Sequence, residues 1–224
     1  MGYKHFGVNT GGLPVDLIKR FVDDHGIEIF IETGTAGGDS VSEARFIFKE
    51  CHTIEIVEDR ANVRQYASNI TLHTGDSANL LKSISDQYKG SKIFFWLDAH
   101  YSEPHESPEG TNECPLLDEI KAIRGHQGVI LIDDARLFYG RPPWPCNPDK
   151  GWPKFDEVFT TLQTNFPNNR ITIVDDYILC YHESMVETFK TYWYDTYSTR
   201  FPHEDEKLKQ SVRAAYQALK IYML

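Results

Sequence analysis

The chain has 224 residues, of which 41% are hydrophobic, and a formal net charge of −10. This length and composition suffice for one sizeable core, so we expect a single α/β domain. The negative charge, together with the lack of any Lys/Arg run longer than two residues, disfavours nucleic acid as a partner. No apolar run approaches the roughly 18 residues of a membrane span, and the first residues lack the apolar segment of a signal peptide. We therefore expect a soluble, cytoplasmic protein with no membrane partner.

The first predicted elements are a helix, a strand, a glycine turn and a second helix. Apolar residues at helical spacing predict a helix from Pro14 to Gly26, followed by a buried strand at residues 27–31. A turn containing Gly34, Gly37 and Gly38 then leads into a helix predicted at residues 41–49. Glycines permit close approach of a ligand to backbone, and the N-terminus of the following helix offers unpaired N–H groups. The turn is therefore predicted to bind a small molecule.

Glu32 stands two residues before the first glycine of this turn. A carboxylate at that point would repel a pyrophosphate but could pair with an ammonium group or accept hydrogen bonds. This position disfavours a nicotinamide dinucleotide and favours a nucleotide with a cationic amino-acid substituent.

The second and third predicted strands each end near an acidic residue. Strand 52–57 contains Glu55, about 20 residues past the glycines, where an acid in a doubly wound sheet accepts hydrogen bonds from ribose hydroxyls. A helix is predicted at residues 60–68. A short strand at residues 70–73 then leads to Asp76 and Ser77, which are suited to the N-cap of a helix at residues 78–84.

The next two strands predict a cluster of acids. The buried run 92–98 ends at Asp98 with His100 just beyond, and the run 128–134 ends at Asp133 and Asp134. In adjacent parallel strands these carboxylates would converge and raise one another's pKa unless a divalent cation neutralised them. Oxygen-only ligands suit Mg²⁺, Mn²⁺ or Ca²⁺ better than zinc.

The ordered motifs resemble those of class I S-adenosylmethionine (SAM) dependent methyltransferases. The spacing E-T-G-x-x-x-G-x-S from Glu32 to Ser40 is most similar to the metal-dependent sugar O-methyltransferases typified by the macrocin and mycinamicin enzymes. The resemblance implies that Glu55 binds the ribose of SAM and that the Asp76–Ser77 segment contacts its adenine. The predicted cofactor residues are Glu32, Gly34, Thr35, Gly38, Ser40, Glu55, Asp76 and Ser77.

The resemblance also implies a chemical centre in which Asp98, Asp133 and Asp134 ligate the metal. His100 replaces the second acid of the family's D-x-D motif. In the family that position is proposed to take the proton from the substrate hydroxyl, and a neutral histidine could do the same. His100 and Asp98 are therefore the predicted catalytic residues, although a metal-ligand or a structural role for His100 stays open.

The remaining segments predict the walls of the site and the end of the sheet. Residues 101–117 form a polar insertion of the kind that serves as a lid, which precedes a predicted helix at residues 116–123. The loop after Asp134 combines aromatic and basic residues into a predicted acceptor wall, with a proline-stiffened surface loop as the alternative; these residues are Arg136, Phe138, Tyr139, Arg141, Trp144 and Trp152. A helix at 154–163 precedes a hairpin at 170–181, which is typical of the antiparallel end of a class I methyltransferase sheet.

Two further helices, at residues 183–200 and 203–224, are predicted to extend a core that covers residues 13–181. The second has a narrow apolar seam that would dock on its own domain or form a homodimer contact. Cys51, Cys114, Cys146 and Cys180 are predicted to be free thiols, because they are far apart and form no C-x-x-C pair.

These observations predict a Rossmann-like, doubly wound, mostly parallel seven-stranded sheet. The predicted function is SAM-dependent, metal-assisted O-methylation of a vicinal hydroxyl on a sugar, glycan or other small molecule. The alternatives are a metal-independent methyltransferase with His100 as base, and a SAM-fold interaction module without catalysis. A nicotinamide-dependent reductase or epimerase is disfavoured, since the G-x-G-x-x-G turn and the Tyr-x-x-x-Lys pair are missing.

Overall fold

The computed structural model describes residues 12–57, 67–101, 112–140, 142 and 146–200, with side chains described up to residue 196. Residues 60–66 of the helix predicted at 60–68, the whole helix predicted at 203–224, and the predicted wall residues Arg141 and Trp144 lie outside these ranges. The helices are α1 (Val15–His25), α2 (Asp39–Ala44), α3 (Ser77–Ser85), α4 (Leu116–Ala122), α5 (Phe155–Asn165) and α6 (Val186–Arg200). The strands are β1 (Ile29–Thr33), β2 (Glu50–Glu55), β3 (Ile70–Thr74), β4 (Lys92–Leu97), β5 (Gln127–Ile132), β6 (Asn169–Val174) and β7 (Tyr177–His182).

The seven strands form one sheet in the order β3-β2-β1-β4-β5-β7-β6. Strands β1 to β5 are parallel, whereas β7 runs antiparallel to both β5 and β6. This topology confirms the predicted doubly wound sheet and its antiparallel hairpin. The strand order changes direction between the neighbouring strands β1 and β4. Such a switch opens a crevice at the carboxyl ends of the parallel strands.

Both faces of the sheet are covered by apolar packing. On one face, Ile31, Phe95 and Ile130 belong to a core cluster that includes buried residues of α3, α4 and α5. Side chains alternate along a strand, so Phe30 and Phe94 point to the other face, where their ring centroids lie 6.3 Å apart. The near-continuous apolar strands of the sequence are explained by this double burial.

Helix α2 is shorter than the sequence predicts. It ends at Ala44 instead of residue 49, and the chain continues through tighter turns. Phe48 then packs against Phe30 and Phe94, with ring centroids 5.2 and 5.7 Å apart. Burial of this ring decides the local conformation, because tertiary packing commonly overrides helix propensity.

The chain divides into two compact units, Met1–Thr188 and Phe189–Leu224. The first unit contains the sheet and α1 to α5; in the second, Phe189 and Trp193 stack on one helix with ring centroids 6.2 Å apart. The single-domain organisation stays a prediction. Across the described ranges, no helix is both long and apolar enough to cross a membrane. The four cysteines are free thiols in this structure, as predicted.

Candidate functional site

A cavity of about 620 Å³ lies at the carboxyl ends of strands β1 to β5. Each of these five strands is followed by residues that line it, which is the place the switch in strand order predicts for a ligand. The lining includes every predicted site residue except Glu32: Gly34, Thr35, Gly38, Ser40, Glu55, Asp76, Ser77, Asp98, His100, Asp133 and Asp134.

The glycine turn after β1 depends on Gly34. Its φ of +82° is a left-handed conformation, and a Cβ built on it would lie 2.5 Å from the carbonyl oxygen of Asp98. The turn therefore packs directly on the chain leaving β4. The N–H of Asp98 in turn donates to the carbonyl oxygen of Thr33 at 3.1 Å. Two walls of the cavity are fixed to each other by backbone at this point.

Glu32 lies beneath the turn rather than in the cavity lining. It is 1% exposed and accepts a hydrogen bond from the Thr53 hydroxyl at 2.6 Å, with a further bond from the Ser40 hydroxyl. Burial raises the pKa of Glu32 well above its usual value, although these hydroxyls oppose the rise. In this arrangement the carboxylate holds the turn, and its direct pairing with a cofactor ammonium stays a prediction.

Glu55 is the last residue of β2 and faces the cavity. Its Oε2 accepts from the N–H of Ala36 at 2.8 Å and its Oε1 from the N–H of Val57 at 2.9 Å. Ala36 has a φ of +42°, which is unusual for a residue with a side chain. The carboxylate is thus fixed from two sides, and each oxygen keeps a lone pair that could accept from a ribose hydroxyl.

Asp76 acts as the predicted N-cap of α3. Its Oδ1 accepts from the N–H of Ala78 at 2.9 Å, and its Oδ2 accepts from the Asn79 amide at 3.1 Å. The hydroxyl of Ser77 is directed into the interior, where it donates to the buried carboxyl group of Glu119 at 2.5 Å. A contact of Ser77 with a ligand would therefore come from its backbone, at the amino end of a helix.

The acids that follow β4 and β5 meet around His100. Its Nδ1 lies 3.3 Å from Oδ1 of Asp98, and its Nε2 lies 3.0 Å from Oδ2 of Asp134. Burial alone would lower the pKa of His100, but the hydrogen bond with Asp134 and the neighbouring carboxylates raise it above the ordinary value. The imidazolium form is therefore favoured in this arrangement.

Two of these acids are held with raised pKa values. Burial raises the pKa of Asp98 to about 8, against the opposing charge of His100. Burial and the charge of Asp134 raise the pKa of Asp133 to about 6. His100 and Arg136 overcome the effect of burial on Asp134, whose pKa is lowered. With all three acids ionised, the cluster would have one more negative charge than His100 and Arg136 neutralise, so burial and this excess charge together favour protonation of Asp98.

Asp134 is also held by a contact with the terminal hairpin. Its backbone is left-handed, with φ +54°, and Arg136 Nη1 donates to its Oδ1 at 2.6 Å. The same guanidinium forms an ion pair with the buried Asp176, whose Oδ1 accepts from the N–H of Arg136 at 3.0 Å. The β6–β7 hairpin thus fixes the position of a predicted metal ligand.

The carboxylates after β4 and β5 are suitable ligands for a divalent cation, but they are not arranged in the geometry of a metal site. Their oxygens are the hard donors that Mg²⁺ and Mn²⁺ prefer. However, the described part of the chain has no group of three or more His, Cys, Asp or Glu side chains arranged to hold an ion. His100 lies between Asp98 and Asp134 and supplies positive charge there.

The predicted acceptor wall is wrong for two of its aromatic residues. Phe138 and Trp152 are 2% and 8% exposed and belong to the core cluster. Trp152 donates from Nε1 to Glu113 at 3.0 Å, and its ring lies edge-on to His100 at 5.7 Å between centroids. Trp152 can be buried behind the site because Glu113, which is far away in sequence, accepts the hydrogen bond of its indole N–H. Arg136 does line the cavity.

Glu119 and Asp176 act from behind the cavity, and neither is among the predicted site residues. Glu119 occupies an apolar helical stripe with Leu116, Ile120 and Ile123, so an acid on a core-facing stripe was the signal available. Asp176 follows a left-handed Asp175 in what looked like an ordinary hairpin turn, and no sequence signal distinguishes it.

Comparison with solved structures agrees with the fold. A Staphylococcus aureus protein, provisionally assigned as a caffeoyl-CoA O-methyltransferase, is 16% identical with a TM-score of 0.51, over 74% of this chain and 80% of that chain. Human methyltransferase-like protein 13, in complex with S-adenosylhomocysteine (SAH), is 13% identical with a TM-score of 0.49, over 79% and 86% of the two chains. No family model matches the sequence, and no curated protein matches it. The chain has the fold of class I SAM-dependent methyltransferases.

Proposed function

We propose that the chain is a SAM-dependent O-methyltransferase that acts on a hydroxyl of a sugar, glycan or other vicinal diol, assisted by a divalent cation. The observation that supports this most is the convergence of predicted residues from five successive strand ends on one cavity. A class I methyltransferase fold with such a cavity suits a nucleotide that extends from β3 towards β4.

In this proposal the nucleotide and the reacting groups occupy different ends of the cavity. Glu55 accepts from the ribose, and the backbone beside Asp76 receives the adenine. The glycine turn leaves room for the methionine portion, since the Cβ-free backbone can approach it closely. The methyl group is then directed at the end formed by Asp98 and His100.

The reaction is an in-line displacement. The acceptor oxygen forms a bond to the methyl carbon, the bond from that carbon to sulfur breaks, and the electron pair stays on the neutral thioether of SAH. The proton of the acceptor hydroxyl passes to the ionised carboxylate of Asp98, or to His100 when its ring is neutral; the structure holds these two side chains 3.3 Å apart. Burial raises the pKa of Asp98 to about 8, near the pH at which a general base works well.

Asp98, Asp133 and Asp134 are the residues that would hold the cation. A bound divalent ion lowers the pKa of a coordinated hydroxyl and fixes its position. To take the proton, His100 must first give up one of its own ring protons and exchange a carboxylate contact for the acceptor hydroxyl, since both of its ring nitrogens face carboxylates. Vicinal hydroxyls on the acceptor suit this arrangement because they provide two adjacent oxygen donors.

A metal-independent methyltransferase is the second candidate. It is favoured by the position of His100, which already supplies positive charge among the carboxylates. In that case the acids orient His100, and the acceptor needs no second hydroxyl. A SAM-fold interaction module would instead bind the nucleotide without turnover.

Calorimetric titration of SAM and SAH into the protein tests the proposal without knowledge of the acceptor. We expect both nucleotides to bind in EDTA, and Mg²⁺ or Mn²⁺ to give a separate heat. Glu55→Ala should weaken the nucleotides at least tenfold and leave the metal heat, whereas Asp133→Ala should do the reverse. Lys121→Ala, on the exposed side of α4, is the control for both.

Each outcome separates the candidates. Nucleotide binding with no metal heat at millimolar Mg²⁺ and Mn²⁺ would leave the metal-independent enzyme and the interaction module, which differ in whether the bound SAM is turned over. Absence of nucleotide binding would refute a methyltransferase of either kind. If Glu55→Ala and Asp133→Ala had the same effects, the assignment of two separate ends would be wrong.

A further inference from the structure

The carboxyl group of Glu119 is buried beside the cavity but does not line it. Glu119 is 1% exposed and lies on the face of α4 that packs into the core. Within the described ranges it forms no ion pair with a lysine, arginine or histidine, although Asp76 and His100 are close enough to affect its pKa. Burying a carboxyl group without a cationic partner is unfavourable. If this position only had to fill space in the core, an apolar residue would be more stable there.

Two hydroxyls from different walls of the cavity meet this carboxyl. Ser77 Oγ donates to Oε1 of Glu119 at 2.5 Å, and the Thr33 hydroxyl forms a second hydrogen bond with it. Ser77 is the first residue of α3 and follows Asp76 at the predicted adenine end. Thr33 ends β1, and its hydroxyl and carbonyl oxygen both receive the N–H of Asp98, at 3.3 and 3.1 Å.

Glu119 therefore connects the adenine end of the cavity to the turn at its centre. Along the chain, the end of β1 at Thr33 and the start of α3 at Ser77 are 44 residues apart. Within this set of hydrogen bonds, the carboxyl of Glu119 is the group that contacts both. Its two oxygens can accept from both hydroxyls at once, which an apolar side chain cannot do.

We propose that Glu119 is a positioning residue for recognition of the adenine ring, which it achieves by fixing the Asp76–Ser77 turn relative to Thr33. This inference rests on the proposed function, because it assumes that the cavity receives the nucleotide. With the Ser77 hydroxyl directed inwards, the backbone of that turn and the Asp76 carboxylate are presented to the ring edge. Loss of the hydrogen bonds of Glu119 should reduce the preference, measured as a ratio of affinities, for a nucleotide with adenine over one whose base has a different edge.

The test compares SAH with its hypoxanthine analogue, S-inosylhomocysteine, by calorimetry. We expect the wild-type protein to prefer SAH, and Glu119→Ala to weaken SAH at least tenfold while it changes the analogue much less. Glu119→Gln should retain most of the preference, because the amide oxygen still accepts from Ser77. Lys121→Ala, an exposed substitution on the same helix, should leave both affinities unchanged.

A second variant protects the test against misfolding of Glu119→Ala. Ser77→Ala removes the other partner of the 2.5 Å hydrogen bond and should reduce the preference in the same direction. Equal losses for SAH and the analogue, or an unchanged preference in folded Glu119→Ala and Ser77→Ala, would overturn the inference alone. Failure of the wild-type protein to bind SAH would overturn the proposed function, and the inference with it.

Discussion

Replacement of Gly34 by alanine is expected to disrupt the cavity at the point where two of its walls touch. The added Cβ would lie 2.5 Å from the Asp98 carbonyl oxygen and 3.1 Å from Cα of Ala99, whereas ordinary contacts begin near 3.4 Å. One backbone segment must therefore move by about 0.9 Å, the difference between 3.4 and 2.5 Å. Positive φ adds a cost of about 1–2 kcal/mol for any residue with a Cβ.

A matched control separates these two effects. Gly125 has a φ of +86°, close to the +82° of Gly34, but a Cβ there would meet nothing within 4 Å. Gly125→Ala should lower the melting temperature by roughly 2–8 °C through the backbone cost alone. Its affinity for SAH should not change, because the substitution lies between α4 and β5 and outside the cavity lining.

Gly34→Ala should lower the melting temperature further and weaken SAH at least tenfold, which corresponds to about 1.4 kcal/mol. Differential scanning fluorimetry and calorimetry on the same samples give the two quantities. If Gly34→Ala bound SAH as the wild type does, the turn would not shape the nucleotide site. If the two variants lost the same stability, the close contact with Asp98 would have no energetic consequence.

Two further predictions concern acids that act from behind the cavity. Burial raises the pKa of Glu119 from 4.5 to about 7, so its contribution to stability is fully present below pH 4.5 and is lost as the pH rises through 7. This rise in pKa corresponds to about 3 kcal/mol of unfolding free energy. In urea unfolding, Glu119→Gln should therefore become more stable relative to the wild type by up to that amount between pH 4.5 and 8. If the stability difference between the two proteins did not change with pH, the raised pKa would be contradicted. Asp176→Ala should cost about 2 kcal/mol, because it removes the acceptor of the Arg136 N–H and the partner of its guanidinium, and thermal unfolding would detect a loss of roughly 4–8 °C. An unchanged melting temperature would show that solvent replaces these contacts.

The fold was predictable from sequence because its signals are local and strong. Strands β4 and β5 are runs of buried apolar residues, and each is followed directly by acids. In a doubly wound sheet such residues must meet at one edge, so the sequence alone predicts that Asp98 and Asp133 lie close together. The glycine turn was recognisable for the same reason, since positive φ selects glycine at Gly34.

The direction of individual side chains was not predictable in the same way. Trp152 follows a proline-rich loop that suggested an exposed wall, yet a contact with Glu113, 39 residues away, satisfies its N–H and buries it. The Ser77 hydroxyl could equally have faced a ligand until Glu119, 42 residues away, was placed beside it. Such contacts join residues that are far apart in the chain, and local patterns contain no information about them.

Glu32 shows how this difference affects the assignment of a cofactor residue. The sequence allows it either to pair with a cofactor ammonium or to accept hydrogen bonds, and in the structure its carboxylate accepts from the hydroxyls of Thr53 and Ser40 beneath the turn and is 1% exposed. Glu32→Gln keeps the size of the side chain and an acceptor oxygen for one hydroxyl, but it replaces the other oxygen with an N–H donor and removes the charge. We therefore expect its affinity for SAH to change less than about threefold, well under the effect of losing a charge-assisted hydrogen bond.

Direct pairing with the ammonium requires a different result. A buried charge pair lost to an amide would weaken SAH at least tenfold, since a charge-assisted hydrogen bond is worth about twice a neutral one. A shortened nucleotide such as adenosine, which lacks the amino-acid portion, would then bind Glu32→Gln and wild type equally. If Glu32 instead only holds the turn, any small loss should be the same for SAH and adenosine, because both depend on the same backbone walls. The ratio of the two affinities in one variant therefore decides whether this acid touches the cofactor or shapes the place where it binds.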